Sequence, residues 1–211
     1  MRCFSMLACW TLVALLAWPL AAEEMKTKTR SLFDGKSMDL WNVPEFGGEG
    51  EVSLKEGVIT MGQGVMLTGI TYKNNDLPRN NYELTWEARR TMGIDFFAAA
   101  TFPVKDSHCS FINGGWGGAV VGLSSIDGVD ASENETTQYV AFDDNKWYRF
   151  KVRVTDKKIE AWIDDKQVVD ANIEGKKIST RNEVTLSQPL GFSAWQSSAE
   201  IRKIEVTPLA K

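Results

Sequence analysis

The chain has 211 residues, 24 of them basic and 28 acidic, for a net charge of −4, and 43% of the residues are hydrophobic. That length suits one domain with a sizeable core, and the mildly acidic balance makes nucleic acid or an anionic membrane surface a poor partner. Of three cysteines, Cys3 and Cys9 fall at the start, so Cys109 stands alone in the body and no internal disulfide is available there.

Residues 1–22 place Arg2 before an apolar stretch that ends in Ala21-Ala22. This is the pattern of a secretory signal, with cleavage expected after Ala22. The run is short for a spanning helix, and Cys9 lies inside it instead of after it, which argues against lipidation. The expectation is a secreted or periplasmic protein with no membrane span once the signal is removed. Residues 23–30 are polar and charged, a flexible lead-in to a single domain over 31–211.

From Leu32 onward the dominant signal is alternation with a period of two. Tyr82, Leu84, Trp86 and Ala88 alternate with Glu83, Thr85, Glu87 and Arg89, giving one buried and one polar face. Tyr148, Phe150, Val152 and Val154 alternate with Arg149, Lys151 and Arg153 in the same way. Turns at 155–158 and 164–166 join this segment to strands over 159–163 and 167–173, which predicts a three-stranded antiparallel meander. Further strands are expected at 51–54, 58–61, 66–71, 95–102, 119–123, 138–142, 190–195 and 201–207. No window of a dozen residues carries a helical stripe. Many short strands with Gly, Asn and Asp between them predict an all-β sandwich or barrel.

Both ends of this body carry recognisable motifs. The first is Ser31-Leu-Phe-Asp-Gly-Lys-Ser-Met-Asp-Leu-Trp41, and the last is Gly191-Phe-Ser-Ala-Trp195 followed by Ile201-Arg-Lys-Ile-Glu-Val-Thr-Pro-Leu209. Between them stand the hairpin Val52-Ser-Leu-Lys-Glu-Gly-Val-Ile59, Asn145-Lys-Trp-Tyr148 and Ile159-Glu-Ala-Trp-Ile-Asp-Asp-Lys166. Together these resemble the 3-keto-disaccharide hydrolase domain family. The resemblance implies a concanavalin A-like jelly-roll sandwich of two antiparallel sheets, a carbohydrate partner and hydrolase-type processing of 3-keto-glycosides. Residues 91–137 depart from the family pattern, and the Glu and Gln usual there have no counterpart. No catalytic assignment is carried over from them.

Within that stretch, Asn113-Gly-Gly-Trp116-Gly-Gly118 surrounds one indole with four glycines. Such a stretch lets a ligand approach the main chain and offers Trp116 as a stacking face for a sugar, or it forms a bulged strand corner with the Trp in the core. Asp127, Asp130, Glu133 and Glu135, with Asn134 among them, make an acidic loop. Loop acids of this kind hold Ca²⁺ or act as an acid–base pair, or they are simply solvated. The sequence dictates no cofactor, and a divalent cation such as Ca²⁺ is the one candidate. Glu87 and Arg89 share a polar strand face. Trp195, Gln188 and Gln196 lie near the last strands as candidates for a sugar platform. His108 is the only histidine, and beside Cys109 it lacks the further ligands a zinc site needs.

A ketone at C3 acidifies the neighbouring C2–H, so a 3-keto sugar calls for a base, an acid and a positive or hydrogen-bonding group at the ketone oxygen. The expected cast is Glu133 or Glu87 as base with Asp127 as partner, Arg89 or a cation at the oxygen, and Trp116 stacked on the ring with Asn113, Trp195 and Gln188 around it. The alternative is a non-catalytic carbohydrate-binding module that uses the same groups for orientation alone.

Overall fold

The structure is a computed structural model that describes residues 28–210. The signal expected at 1–22 and residues 23–27 of the lead-in lie outside them. In chain order the strands are Arg30–Ser31 (β1), Trp41–Asn42 (β2), Val52–Lys55 (β3), Val58–Met61 (β4), Leu67–Tyr72 (β5), Tyr82–Met92 (β6), Ala99–Val104 (β7) and Ser107–Gly114 (β8). They continue with Val120–Ser124 (β9), Gln138–Tyr139 (β10), Tyr148–Val154 (β11), Lys158–Ile163 (β12), Lys166–Asn172 (β13), Gly191–Trp195 (β14) and Ser198–Pro208 (β15). One sheet has the order β13-β12-β11-β6-β15-β4-β3, with β1 alongside β15. The other runs β10-β9-β8-β7-β14-β5-β2. The pairings are antiparallel, the two-sheet architecture that the alternation and the family resemblance imply.

Alternation decides which side chains meet. In β6, Tyr82, Leu84, Trp86 and Ala88 are buried. Register with β11 places Phe150 opposite Trp86, and their rings stack at 5.4 Å with 20° between planes. Trp86 also packs against Phe192 at 5.3 Å and against the edge of Phe111 at 6.4 Å, both from the second sheet. The inner faces therefore share one core, in which burial of each large apolar side chain contributes about 1.5–3 kcal/mol. The outer face of β6 carries Glu83, Glu87 and Arg89.

The second sheet is buried on both faces along β5, β7 and β9. Its inward residues include Phe102, Phe111, Leu123 and Phe192. Many of its outward residues are small: the cross-strand pairs Gly69–Ser193, Ala99–Ser193, Thr101–Ser110 and Ser110–Ser124, with Gly122 opposite Ile112, pave much of that side. A short 3-10 helix, Asn182–Ser187, lies over one part of this paving, where the Thr71 hydroxyl donates to the Leu186 carbonyl at 2.7 Å.

Several boundaries differ from expectation: β10 ends at Tyr139 instead of residue 142, and β15 starts at Ser198 instead of 201. Arg30, placed in the lead-in by composition, already pairs with Val206. Residues 95–98 are not strand: Asp95 accepts a hydrogen bond from the Phe96 N–H and Ala98 has φ 47°, which turns the chain before β7 begins.

Candidate functional site

Above the paving of small residues lies a hollow of about 240 Å³, near the small end of ligand pockets. Ser110, Ile112 and Ser124 form its floor, because β8 and β9 point alternate residues away from the core. Leu67, Phe96, Trp116 and Trp195 form an apolar side. Phe96 and Trp195 stand 6.4 Å apart between ring centroids, tilted by 41°. Arg181, Glu183 and Val184 close the other side from the start of the 3-10 helix.

Trp116 sits in a turn at the end of β8, where Gly114, Trp116, Gly117 and Gly118 all have positive φ. Trp116 itself is left-handed (φ 50°, ψ 50°) and 46% exposed, so its indole is presented and not packed away. Gly118 has to be glycine. With φ at 114°, a Cβ there would lie 2.7 Å from the Ile94 carbonyl oxygen.

The polar side is a chain of charges. Arg181 Nη1 donates to Asp130 at 2.5 Å and Nη2 donates to Glu183 at 2.8 Å. Asp130 also accepts the hydroxyls of Ser124 and Ser125 at 2.9 and 2.8 Å. Glu183 holds the Arg181 guanidinium above its ordinary pKa, against partial burial and with help from Asp130. Arg181 in turn holds the Glu183 carboxyl below its ordinary value. Burial pushes Asp130 upward, but its two serine hydroxyls and Arg181 outweigh it, and the net shift is downward. Asp95 completes the charged lining. Its two oxygens accept backbone N–H groups, from Phe96 at 2.8 Å and Gly117 at 3.0 Å.

Of the residues singled out in the sequence, Trp116 and Trp195 line this hollow, and the others stand elsewhere. Asn113 points inward with Cys109 and Phe111, is fully buried, and donates to the Phe97 carbonyl. Gln188 donates to the Thr180 hydroxyl at 3.1 Å, outside the lining. Glu87 and Arg89 are on the outer face of the opposite sheet. There Glu87 pairs with Arg202 and Lys203, each at 2.8 Å, and Arg89 pairs with Glu200 at 2.6 Å. Arg89 and Arg202 also lie over the Trp147 ring, at 4.9 and 4.0 Å.

The loop acids likewise turn to structural tasks. Asp127 accepts the Lys177 N–H at 2.7 Å, Glu135 pairs with Lys176, and Glu133 is exposed away from the lining. Among the described residues no three His, Cys, Asp or Glu side chains are grouped to hold a metal ion. His108 is half-buried, and burial followed by the nearby Arg79 lowers its pKa. Cys109 is fully buried, and burial pushes its thiol up to about 12.

Asp95, Phe96, Arg181 and Glu183 were not marked by any motif. One signal existed for the first: a carboxylate opening an otherwise apolar run, Phe96 to Ala100, is a poor strand residue and a good turn residue. Arg181 and Glu183 reach the site only because the fold brings residue 181 beside residue 130.

The sequence profile of the 3-keto-alpha-glucoside-1,2-lyase-like domain family matches residues 28–207. No curated protein matches the chain in sequence. Among solved structures, the Crh5 transglycosylase is similar with a TM-score of 0.59 and 14% identity, over 88% of this chain and 85% of that one. A structure titled a putative glycosyl hydrolase from Parabacteroides distasonis has a TM-score of 0.53 and 13% identity, over 86% and 94%. Domain 4 of AbnA, an extracellular arabinanase from Geobacillus stearothermophilus solved with arabinotriose, has a TM-score of 0.52 and 10% identity, over 81% and 82%. At these identities the likeness is one of fold.

Proposed function

This chain belongs to the 3-keto-alpha-glucoside-1,2-lyase-like domain family, and from that membership and the hollow's geometry we propose that it processes 3-keto-glycosides to a hydrolysis product. The observation that carries the reading is a hollow with aromatic rings on one side and a guanidinium–carboxylate pair on the other. Rings bind the apolar faces of a sugar, and the charged pair matches the chemistry of a C3 ketone. Glu183 takes the proton from C2 while Arg181 donates hydrogen bonds to the ketone oxygen as charge builds there. The electron pair forms the C1=C2 bond, and the C1–O bond breaks with its electrons leaving on the departing oxygen, which is protonated from water. The hydroxide left by that protonation adds to C1 and Glu183 returns its proton to C2, so the sum is hydrolysis. Arg181 depresses the basicity of Glu183 in the free protein; its move to the ketone oxygen would release that hold as substrate enters. With the export signal expected at 1–22, we place this activity outside the cytoplasm, secreted or periplasmic.

One observation favours a second reading, a non-catalytic sugar-binding domain. Arg181 is already satisfied by two carboxylates, and both oxygens of Asp95 are taken by backbone amides. Incubation with a 3-keto-disaccharide while following reducing-sugar release separates the two. The enzyme reading expects turnover that Glu183→Gln reduces by about 100-fold or more, with affinity little changed. Binding by the unaltered protein without turnover selects the second reading, and absence of both overturns the two together.

A further inference from the structure

Asp95 is the one charged residue lining the hollow whose bonds run only to the backbone. Oδ1 accepts the Phe96 N–H at 2.8 Å and Oδ2 accepts the Gly117 N–H at 3.0 Å. Phe96 and Trp116 lie on the aromatic side of the hollow, and their chain segments are separated by the whole of β7 and β8. One carboxylate therefore fastens both. Asp95 is itself anchored. Its N–H donates to the Ser197 hydroxyl oxygen at 3.0 Å, and that hydroxyl donates back to the Asp95 carbonyl at 3.3 Å. Ser197 is fully buried. The third ring is tied to the same knot, because the Trp195 N–H donates to the Phe96 carbonyl at 3.0 Å.

The turn it fastens needs an external hold. Left-handed backbone costs a non-glycine residue about 1–2 kcal/mol, Trp116 is half exposed, and Gly114 at the head of the turn offers no side-chain cap. The Gly117 N–H bond to Asp95 is the side-chain bond that the turn's backbone receives among the described residues. We infer that Asp95 is a positioning residue that sets the placement of Trp116 and Phe96, and thereby the width and affinity of the sugar hollow, without contacting the sugar. The affinity part rests on the hollow seating a sugar; the placement of the indole does not.

The test has one arm for each part. In the ¹⁵N spectrum of the unliganded protein each indole N–H gives its own signal, and Trp116→Phe identifies the one from residue 116. Asp95→Ala is expected to shift or broaden that signal while those of Trp86 and Trp162 stay in place. In the second arm, Asp95→Ala weakens binding of a 3-keto-disaccharide by about tenfold, the scale of releasing one left-handed residue. Added to Trp116→Ala, it costs less than about twofold more, because both changes act through the same ring. Asp95→Asn is the milder variant should the alanine variant fail to fold. It keeps one acceptor and so loses one of the two amide bonds. An unchanged Trp116 signal in these variants overturns the inference, as do losses of affinity that multiply, which would mean direct contact with the ligand. If the unaltered protein binds no oxidised sugar, the proposed function falls, while the indole signal still decides whether Asp95 positions Trp116.

Discussion

Trp116 is placed where its backbone is disfavoured and its ring gains little burial. Residues kept in such conformations are expected at sites of use, where stability is given up for presentation. Trp116→Gly is therefore predicted to leave thermal stability unchanged or raise it by up to about 1 kcal/mol, while weakening sugar affinity, measured by calorimetry, by more than about tenfold. Gly118→Ala acts in the opposite sense. Its Cβ would collide with the Ile94 carbonyl, at 2.7 Å, in a backbone region alanine avoids. A loss of about 1–3 kcal/mol in urea unfolding is expected. Cys109 lies in the core with its thiol pushed up to about 12. The peptide that holds it should stay unmodified by iodoacetamide at pH 8 until the protein is denatured, as judged by mass spectrometry.

Among the strands, β6 carries the largest share of packing that can be tested singly. Phe150 of β11 stacks on Trp86 of β6, and Trp86 also meets β8 and β14. Phe150→Ala is expected to cost about 3–5 kcal/mol, read as a fall in the urea midpoint. The charged outer face of the same strands should matter far less, since pairs such as Arg89–Glu200 remain partly solvated. This contrast also explains what the sequence revealed. Strands with one wet face, β6 and β11 to β13, announce themselves by alternation, and β4 falls at the expected residues 58–61. β8 was not foreseen, because His108-Cys-Ser-Phe-Ile-Asn113 is buried on both sides along most of its length and lacks a polar rhythm. The hollow was hidden for the same reason: its floor is the second face of a sheet whose faces read alike. Trp116 was legible from its glycines. The acids beside it in sequence, Asp127 and Glu133, were not its neighbours in space, whereas Arg181 and Glu183 arrive from a distant turn.

Across the molecule, carboxylates are held ionised by their partners. Glu87 is lowered by Lys203 and Arg202 against partial burial, Asp130 by its serines and Arg181 against burial, and Glu183 by Arg181. A carboxyl depressed in the fold stabilises it above the unfolded pKa and loses that contribution as pH falls through the folded value. Stability measured by thermal melting should thus be level near neutrality and decline below about pH 4, the ordinary carboxylate range. Asp130→Asn is expected to lower the plateau and flatten part of the acid limb. The division of labour along β8 and β9 has a further implication. Residues that fill the interior and residues that pave the cavity alternate on the same strands, so the cavity floor has positions that do not face the core. Substituting the paving at Ser110 or Ile112 offers a way to re-tailor the receptacle for a bulkier or slimmer guest while the scaffold keeps its architecture.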